Sequence, residues 1–169
     1  MKILWLLILT LASFPASATW LKMDKSQDGF LFSGAEEGEP FSFNVPGNEV
    51  RTAKDGDRAF AEIDGVLLQI FLSPTDHPGD AAGLSRYAEG EKAYLTSAGA
   101  SIFESTTCSS LEKPHQEWSA QVAGNTSHYL TVNAGKRILV VVAVASKAGT
   151  PPSAAINTLA AVCSSLTVA

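Results

Sequence analysis

The chain of 169 residues carries 12 basic and 17 acidic residues, a formal net charge of −5, and no basic cluster. That charge balance makes nucleic acids and anionic membrane surfaces poor partner candidates. The length suits a single domain with a sizeable hydrophobic core, and the two cysteines are too far apart for a redox CxxC motif.

Residues 1–18 have the three parts of a secretory signal peptide. Lys2 gives a positive start, Ile3–Ala12 an apolar run, and Ala16–Ala18 an A-x-A cleavage site. A membrane anchor is the alternative, but the apolar run is short and ends before Pro15. We therefore expect cleavage after Ala18 and export of residues 19–169 as one domain. The destination is the bacterial periplasm or the cell exterior.

Short alternating stretches open this domain, after residues 19–28, which we leave unassigned. Phe30 and Phe32 alternate with other residues in GFLFSG, and apolar and polar residues alternate again in FSFNVP at 41–46. This period of two predicts two strands separated by an acidic turn. At the edge of a sheet, the second strand would allow a partner to add a strand of its own. Residues 48–57 are polar and typical of turns.

A hairpin is predicted at Asp64-Gly65, which lies between the apolar runs RAFAEI and VLLQIFLSP. An Asp-Gly pair suits a type I′ turn because both central residues need a positive φ. The second run is apolar on nearly all positions, so its strand belongs near the centre of a sheet. Pro74 ends it.

A helix is predicted from Ala81 to about Ser97, with Asp80 as its N-cap and Gly99 just beyond its end. Helical spacing predicts that six residues share its inward face: Leu84, Tyr87, Ala88, Glu91, Tyr94 and Leu95.

An antiparallel meander is predicted next. It runs from a strand at Ser101–Leu111 that carries Cys108, through strands at Trp118 and His128, to RILVVVAVAS at Arg137–Ser146. The last strand has eight consecutive apolar residues, mostly β-branched, so both of its faces must be covered. We expect it at the centre of the sheet, beside the strand that follows Asp64-Gly65.

The final helix begins at the prolines 151–152. Helical spacing places five residues on one of its faces: Ile156, Leu159, Ala160, Cys163 and Leu166. In an oxidising compartment, a Cys108–Cys163 bridge would join this helix to the meander and stabilise the fold by roughly 4 kcal/mol. Two separate buried thiols are the alternative.

The element order, with FSFNVP, the Asp64-Gly65 hairpin, the helix around Leu84–Leu95 and the closing strand–helix pair, resembles the Mog1/PsbP-like superfamily of small exported bacterial domains. The resemblance covers about residues 28–168. It implies an α+β fold in which a central antiparallel sheet is flanked by helices as an α/β/α sandwich. It also implies a binding or assembly-assisting role without shared catalytic residues. Fold alone does not fix function.

Motifs for common chemistry are absent from the sequence: there is no GxSxG, HExxH, calcium loop or phosphate-binding glycine loop. Asp76, His77 and Asp80 could hold a metal, although a polar turn with Asp80 as helix cap is the simpler and favoured explanation. The acids Glu36, Glu37 and Glu39 suit an exposed turn. The sequence therefore assigns no catalytic residue, metal ligand or cofactor.

Aromatic residues are the remaining candidates for a functional surface. Trp118, Tyr87 and Tyr94, with Trp20 and Tyr129, could line a groove between helix and sheet, or could simply pack in the core. Trp118 follows a polar stretch, which suggests that it faces solvent. We expect a non-catalytic accessory protein that docks on an envelope protein or assembly. The alternatives are a carrier of a small apolar or aromatic ligand and a metal-dependent hydrolase. Sequence does not indicate the oligomeric state.

Overall fold

A computed structural model describes residues 20–35, 39–55, 57–75 and 80–169. The predicted signal peptide lies outside the described residues. Two antiparallel sheets and two helices make up the described chain, in this order: β1 (Leu21–Lys25), β2 (Gly29–Gly34), β3 (Phe41–Pro46), β4 (Val50–Asp55), β5 (Arg58–Ile63), β6 (Val66–Pro74), α1 (Ala81–Ser97), β7 (Ser101–Glu104), β8 (His115–Val122), β9 (Asn125–Ala134), β10 (Arg137–Ala145), α2 (Pro152–Ser165) and β11 (Thr167–Val168).

The seven-stranded sheet has the order β4-β5-β6-β10-β9-β8-β7, so β10 lies at its centre beside β6, as the sequence predicts. Successive residues of a strand point to opposite faces. Leu139 and Val141 therefore enter one core and Ile138 and Val140 the other, and all four are buried. The continuous apolar run is thus explained by two cores rather than one.

The β5–β6 hairpin is also confirmed. Ile63 pairs with Val66 across the turn, and Asp64 and Gly65 have φ values of +47° and +88°. Both values lie in the left-handed region that a type I′ turn requires.

The main core lies between the seven-stranded sheet and a second layer, which consists of α2 and the four-stranded sheet β1-β2-β3-β11. Phe32 and Phe43 are each 1% exposed and stack with their ring centroids 5.2 Å apart. From α2, the residues Leu159 and Val162 fill the space between the two sheets.

The α+β fold class is confirmed, but the α/β/α sandwich is not. Helix α1 covers part of one face of the large sheet, whereas a mixed layer of sheet and helix covers the other. The phenylalanines of β2 and β3 point into the main core, so these strands form a separate small sheet that packs over the large one.

The predicted bridge between Cys108 and Cys163 is confirmed, with the two Cα atoms 5.3 Å apart. It joins α2 to the β7–β8 connection rather than to a strand, because β7 ends at Glu104 and not near Leu111 as predicted. The carboxylate of Glu117 holds this connection. It accepts hydrogen bonds from the backbone N–H of Thr107 (2.8 Å) and of Cys108 (3.1 Å).

Several local predictions are corrected. β1 and β4 occupy segments that the sequence left unassigned or read as turns. On α2, Ile156 is 39% exposed, and Leu166 lies beyond the helix. The predicted helix α1 is confirmed, and Asp80 Oδ1 accepts a hydrogen bond from the backbone N–H of Ala82 at 2.9 Å.

Strand β3 is not an edge strand, which corrects the proposed strand-addition site. β11 pairs with its first two residues. Beyond them, the N–H of Asn44 donates to Ser165 Oγ at 2.9 Å, and that oxygen lies 3.0 Å from the Asn44 carbonyl oxygen. The side chain of Ser165 thus takes the place of a neighbouring strand.

Candidate functional site

One face of the large sheet is only half covered. α1 packs over β7, β8 and β9 and reaches β10 through Leu84. On the same face, α1 reaches β6 at Phe71 and Ser73, and no described helix or strand packs extensively over β4 or β5. We call the uncovered part the open face and define it by Arg58, Leu67, Phe71 and Val144.

The pairing register between strands places the residues of the open face next to one another. Arg58 lies opposite Phe71 on β5 and β6, and Leu67 lies opposite Val144 on β6 and β10. The guanidinium carbon of Arg58 is 5.0 Å from the centroid of the Phe71 ring, which is cation–π geometry. The three apolar side chains are half-buried. The register also places Glu62 opposite Leu67, and Gln69 between Leu67 and Phe71, on the same face. The surface is therefore mixed: apolar and aromatic side chains with a stacked cation lie beside a carboxylate and an amide.

Two tyrosines of α1 border the open face. Tyr87 and Tyr94 are seven residues apart and so lie on one flank of the helix. Tyr87 reaches down to Ser73 and toward Arg58. Burial first and the charge of Glu91 second raise the pKa of Tyr87 to about 12. Tyr94 is 68% exposed, which makes it an accessible aromatic side chain at the rim and places it outside the predicted inward face.

Trp118 is fully buried, so the expectation that it faces solvent is wrong. Its ring stacks on Tyr129 with centroids 5.0 Å apart, and Lys92 Nζ of α1 lies 5.7 Å from the ring centroid. Cross-strand pairing on β8 and β9 places the two rings side by side under α1. Trp118 therefore fills the space between helix and sheet. Trp20 lies in the main core, away from this group.

Lys92 also ties α1 to β7. Its ammonium group bonds to Glu89 at 3.2 Å and to Glu104 at 3.3 Å. Burial alone would lower the pKa of Lys92, but the two carboxylates outweigh it and raise the pKa. The covered half of the face is therefore closed by both stacking and charge.

A buried polar pair that the sequence did not reveal lies on the opposite face. Ser119 and His128 are cross-strand partners on β8 and β9, and Ser119 Oγ lies 2.8 Å from His128 Nδ1. Burial lowers the pKa of His128, which favours the neutral ring. Ser–His contacts can activate a nucleophile, but a third group usually orients the histidine. In the described chain only Ser119 bonds to this ring, and both residues are buried.

Of the three candidate metal ligands, the described residues include only Asp80. Asp76 and His77 lie outside the described residues, as do Glu36 and Glu37, while the carboxylate of Asp80 caps α1. No group of three His, Cys, Asp or Glu side chains in the described ranges could hold a metal ion. Nor does the described chain contain a helix long and apolar enough to cross a membrane.

The open face could be found only in part from sequence. The apolar strand β6 and the helix with Tyr87 and Tyr94 are readable as periodic patterns. Which strands the helix covers depends on the sheet order. No periodic pattern indicates that α1 packs over β7–β9 and leaves β4 and β5 uncovered.

Comparison with known proteins gives little further information. No family model matches the sequence, and no curated protein matches it. Among solved structures, a crystal structure of a protein from Bacteroides thetaiotaomicron is similar at a TM-score of 0.45 and 15% sequence identity. The match covers 76% of this chain and 45% of that chain, so the present chain spans less than half of the other protein's length.

Proposed function

We propose that this protein is an exported, non-catalytic accessory module that docks on another protein of the cell envelope through its open face. The observation that carries the proposal is the uncovered half of the large sheet, where Arg58 stacks on Phe71 beside Leu67 and Val144. The occupant we infer is a folded protein or protein segment that presents an apolar surface.

Interface centres are enriched in aromatic residues and arginine and depleted in other charges. The open face carries the aromatic ring and the arginine, with the carboxylate of Glu62 at its border beside Leu67, and Tyr94 adds an exposed ring. Arg58 already rests on an aromatic ring, so less of its freedom is lost when a partner covers it. A partner would remove the half-buried apolar side chains from water, which is the main source of favourable association energy.

A carrier of a small apolar ligand is the second candidate, and the structure offers it less support. The ligand was expected between helix and sheet, but Trp118 and Tyr129 occupy that space. A sheet face open on one side also lacks the walls that enclose most of a small ligand. The metal-dependent hydrolase now depends on Asp76 and His77, with Asp80 already engaged as a helix cap.

Export is supported by the predicted signal peptide and by the disulfide, which is consistent with an extracellular or periplasmic location. The resemblance to the Mog1/PsbP-like superfamily stays part of this proposal. Its binding or assembly-assisting role agrees with the function inferred here.

The test is site-specific photo-crosslinking in cells that export the protein. A photoreactive phenylalanine analogue replaces Tyr94 at the rim of the open face, or Leu31 as a matched control. Leu31 is an exposed apolar residue of the small sheet, 37% exposed. We expect a discrete protein adduct from position 94 and none from position 31.

The second arm shows whether the adduct depends on the open face. Leu67→Glu should abolish the adduct from position 94, because a carboxylate would be buried against an apolar partner. A matched change, Leu31→Glu, should leave it intact. Unfolding midpoints of both variants establish that they fold. Equal crosslinking from positions 31 and 94, or an adduct that survives Leu67→Glu in a folded protein, would overturn the proposal.

A further inference from the structure

A cavity of about 350 Å³ opens at the end of the large sheet and has no apolar side chain in its lining. Three connections converge there: β3 to β4, the β5–β6 hairpin, and β10 to α2. The lining residues are Glu49, Arg51, Glu62, Asp64, Gly65 and Lys147. Its volume lies within the range of small-molecule sites, about 300–1,000 Å³.

The rim of this cavity is fixed by hydrogen bonds. The Asp64 carboxylate accepts from the backbone N–H of Asn48 at 3.0 Å and of Glu49 at 3.1 Å. The carbonyl oxygen of Gly65 accepts from the backbone N–H of Ser146 at 2.9 Å and of Lys147 at 3.3 Å. The hairpin turn therefore holds both neighbouring connections in place. A rim held in this way loses little freedom when a ligand binds.

Four charges remain for a ligand once Asp64 is engaged in this way. They are the carboxylates of Glu49 and Glu62, the guanidinium of Arg51 and the ammonium of Lys147. In the described ranges, none of these four side chains forms an ion pair or a hydrogen bond.

The lack of pairing is most informative at Arg51 and Glu62. They are direct cross-strand partners on β4 and β5. Opposite charges at such positions ordinarily attract each other and stabilise the sheet. Here both charged groups line the cavity without bonding to each other. The cavity therefore offers a ligand both a cationic donor, Arg51, and an anionic acceptor, Glu62.

We propose that this cavity binds a small zwitterion, a free amino acid or the charged ends of a short peptide. Arg51 and Lys147 would receive the carboxylate, because guanidinium and ammonium groups bond strongly to carboxylate oxygens. Glu49 and Glu62 would receive the ammonium group. A ligand with one charge would satisfy half of the site and leave the other half unpaired.

The zwitterion site does not rest on docking at the open face, although Glu62 lies opposite Leu67 in the sheet register. Either site can be present without the other. Their tests also differ, since one follows a protein adduct and the other follows small compounds.

The test is NMR titration of the purified, disulfide-bonded protein with four compounds. L-alanine and L-alanyl-L-alanine carry both charges, N-acetyl-L-alanine only the negative one, and L-alaninamide only the positive one. We expect saturable shifts at the backbone amides of Arg51, Glu62 and Lys147 with at least one zwitterion. The singly charged compounds should bind about 10- to 100-fold more weakly, as expected for one lost charge-assisted hydrogen-bond group.

Charge-neutralising variants locate the site. Arg51→Gln and Glu62→Gln should each weaken zwitterion binding by about 10-fold or more. Arg86→Gln and Glu112→Gln are the matched controls, since both residues are exposed and lie outside the cavity lining. Lys147→Gln replaces Arg51→Gln if the latter fails to fold.

Each outcome is decisive. Binding of both zwitterions indicates a site for a single amino acid, and binding of the dipeptide alone indicates the ends of a peptide. N-acetyl-L-alanine binding as tightly as the zwitterions would show an anion site and overturn the inference. Absence of saturable shifts with all four compounds, or equal loss in the control variants, would overturn it as well.

Discussion

Removal of the disulfide is the perturbation whose cost is most directly set by the structure. Cys108 and Cys163 are separated by 55 residues, and both are buried, at 0% and 3% exposure. The entropy that a bridge removes from the unfolded chain grows with the logarithm of the loop it closes. For this loop, it corresponds to a stabilisation of about 4 kcal/mol at 25 °C.

In the folded protein, the segment that the bridge holds has few other attachments. Residues 105–114, between β7 and β8, contain no strand or helix. Its other contacts include the Glu117 carboxylate, the partly buried Leu111 and an ion pair between Lys113 and Glu39 at 3.9 Å. From the loop entropy, we expect the double variant Cys108→Ala/Cys163→Ala to lose about 4 kcal/mol of unfolding free energy. Its thermal midpoint should fall by about 8–16 °C, at about 2–4 °C per kcal/mol for a chain of this size.

Urea denaturation followed by circular dichroism measures this loss. Three samples are compared: the oxidised protein, the reduced protein and the double variant. The reduced protein should match the double variant within about 1 kcal/mol, since both lack the same constraint. Reductant should leave the double variant unchanged. A double variant within about 1 kcal/mol of the oxidised protein would refute the loop-entropy reasoning, as the bridge would then not limit the unfolded chain.

Three further predictions concern single side chains. Glu117→Ala should cost about 1–3 kcal/mol in urea denaturation, because the backbone N–H of Cys108 loses its acceptor; Glu117→Gln, which keeps one oxygen, should cost less. Gly65→Ala should destabilise more than its matched control Gly124→Ala. Both glycines have positive φ, but a Cβ at Gly65 would collide with a threonine hydroxyl, whereas nothing lies within 4 Å at Gly124; equal losses would contradict this. Tyr87 should titrate near pH 12 by phenolate absorbance, and its contribution to stability, which is complete below pH 10, should disappear as pH rises from 10 to about 12. Tyr87→Phe should flatten that part of the pH–stability curve, and an unchanged curve would show that this tyrosine is not the cause.

The sequence pattern predicted those parts of the fold in which a local pattern is compatible with only one local structure. The valine-rich run of β10 had to be a strand covered on both faces, and Asp64-Gly65 had to turn. The cap at Asp80 and the end of α1 near Gly99 followed from the same local chemistry. These features depend on neighbours in sequence, which are visible without the fold.

Partner choice between distant strands could not be predicted in this way. The alternation of Phe41 and Phe43 shows that one face of β3 is buried, but it does not say against what. Nothing in the pattern distinguishes an added strand of the main sheet from a second sheet. β4 was missed for a related reason: an edge strand with mixed polar residues has the composition of a turn.

The candidate sites were hidden for the same reason. Ser119 with His128 and Arg51 with Glu62 are each brought together by register between strands, and a shift of one residue would separate them. The cavity also needs Lys147 from a connection more than eighty residues away from Glu62 and Asp64, a spacing that no motif records.

The two faces of the large sheet are covered very unequally, and this asymmetry bears on where function lies. The main-core side holds stacked phenylalanines, α2 and the disulfide. The other side holds α1, which carries Gly83 and Gly90 and buries only Leu84 as a large residue. Glycine in a helix interior weakens it by about 0.5–1 kcal/mol relative to alanine, so α1 depends on its contacts with Trp118 and β7. The open face and the zwitterion cavity therefore adjoin the more lightly covered side, while the main core keeps the sheet beneath them rigid. Binding residues placed on a rigid sheet keep their geometry when a partner or ligand arrives.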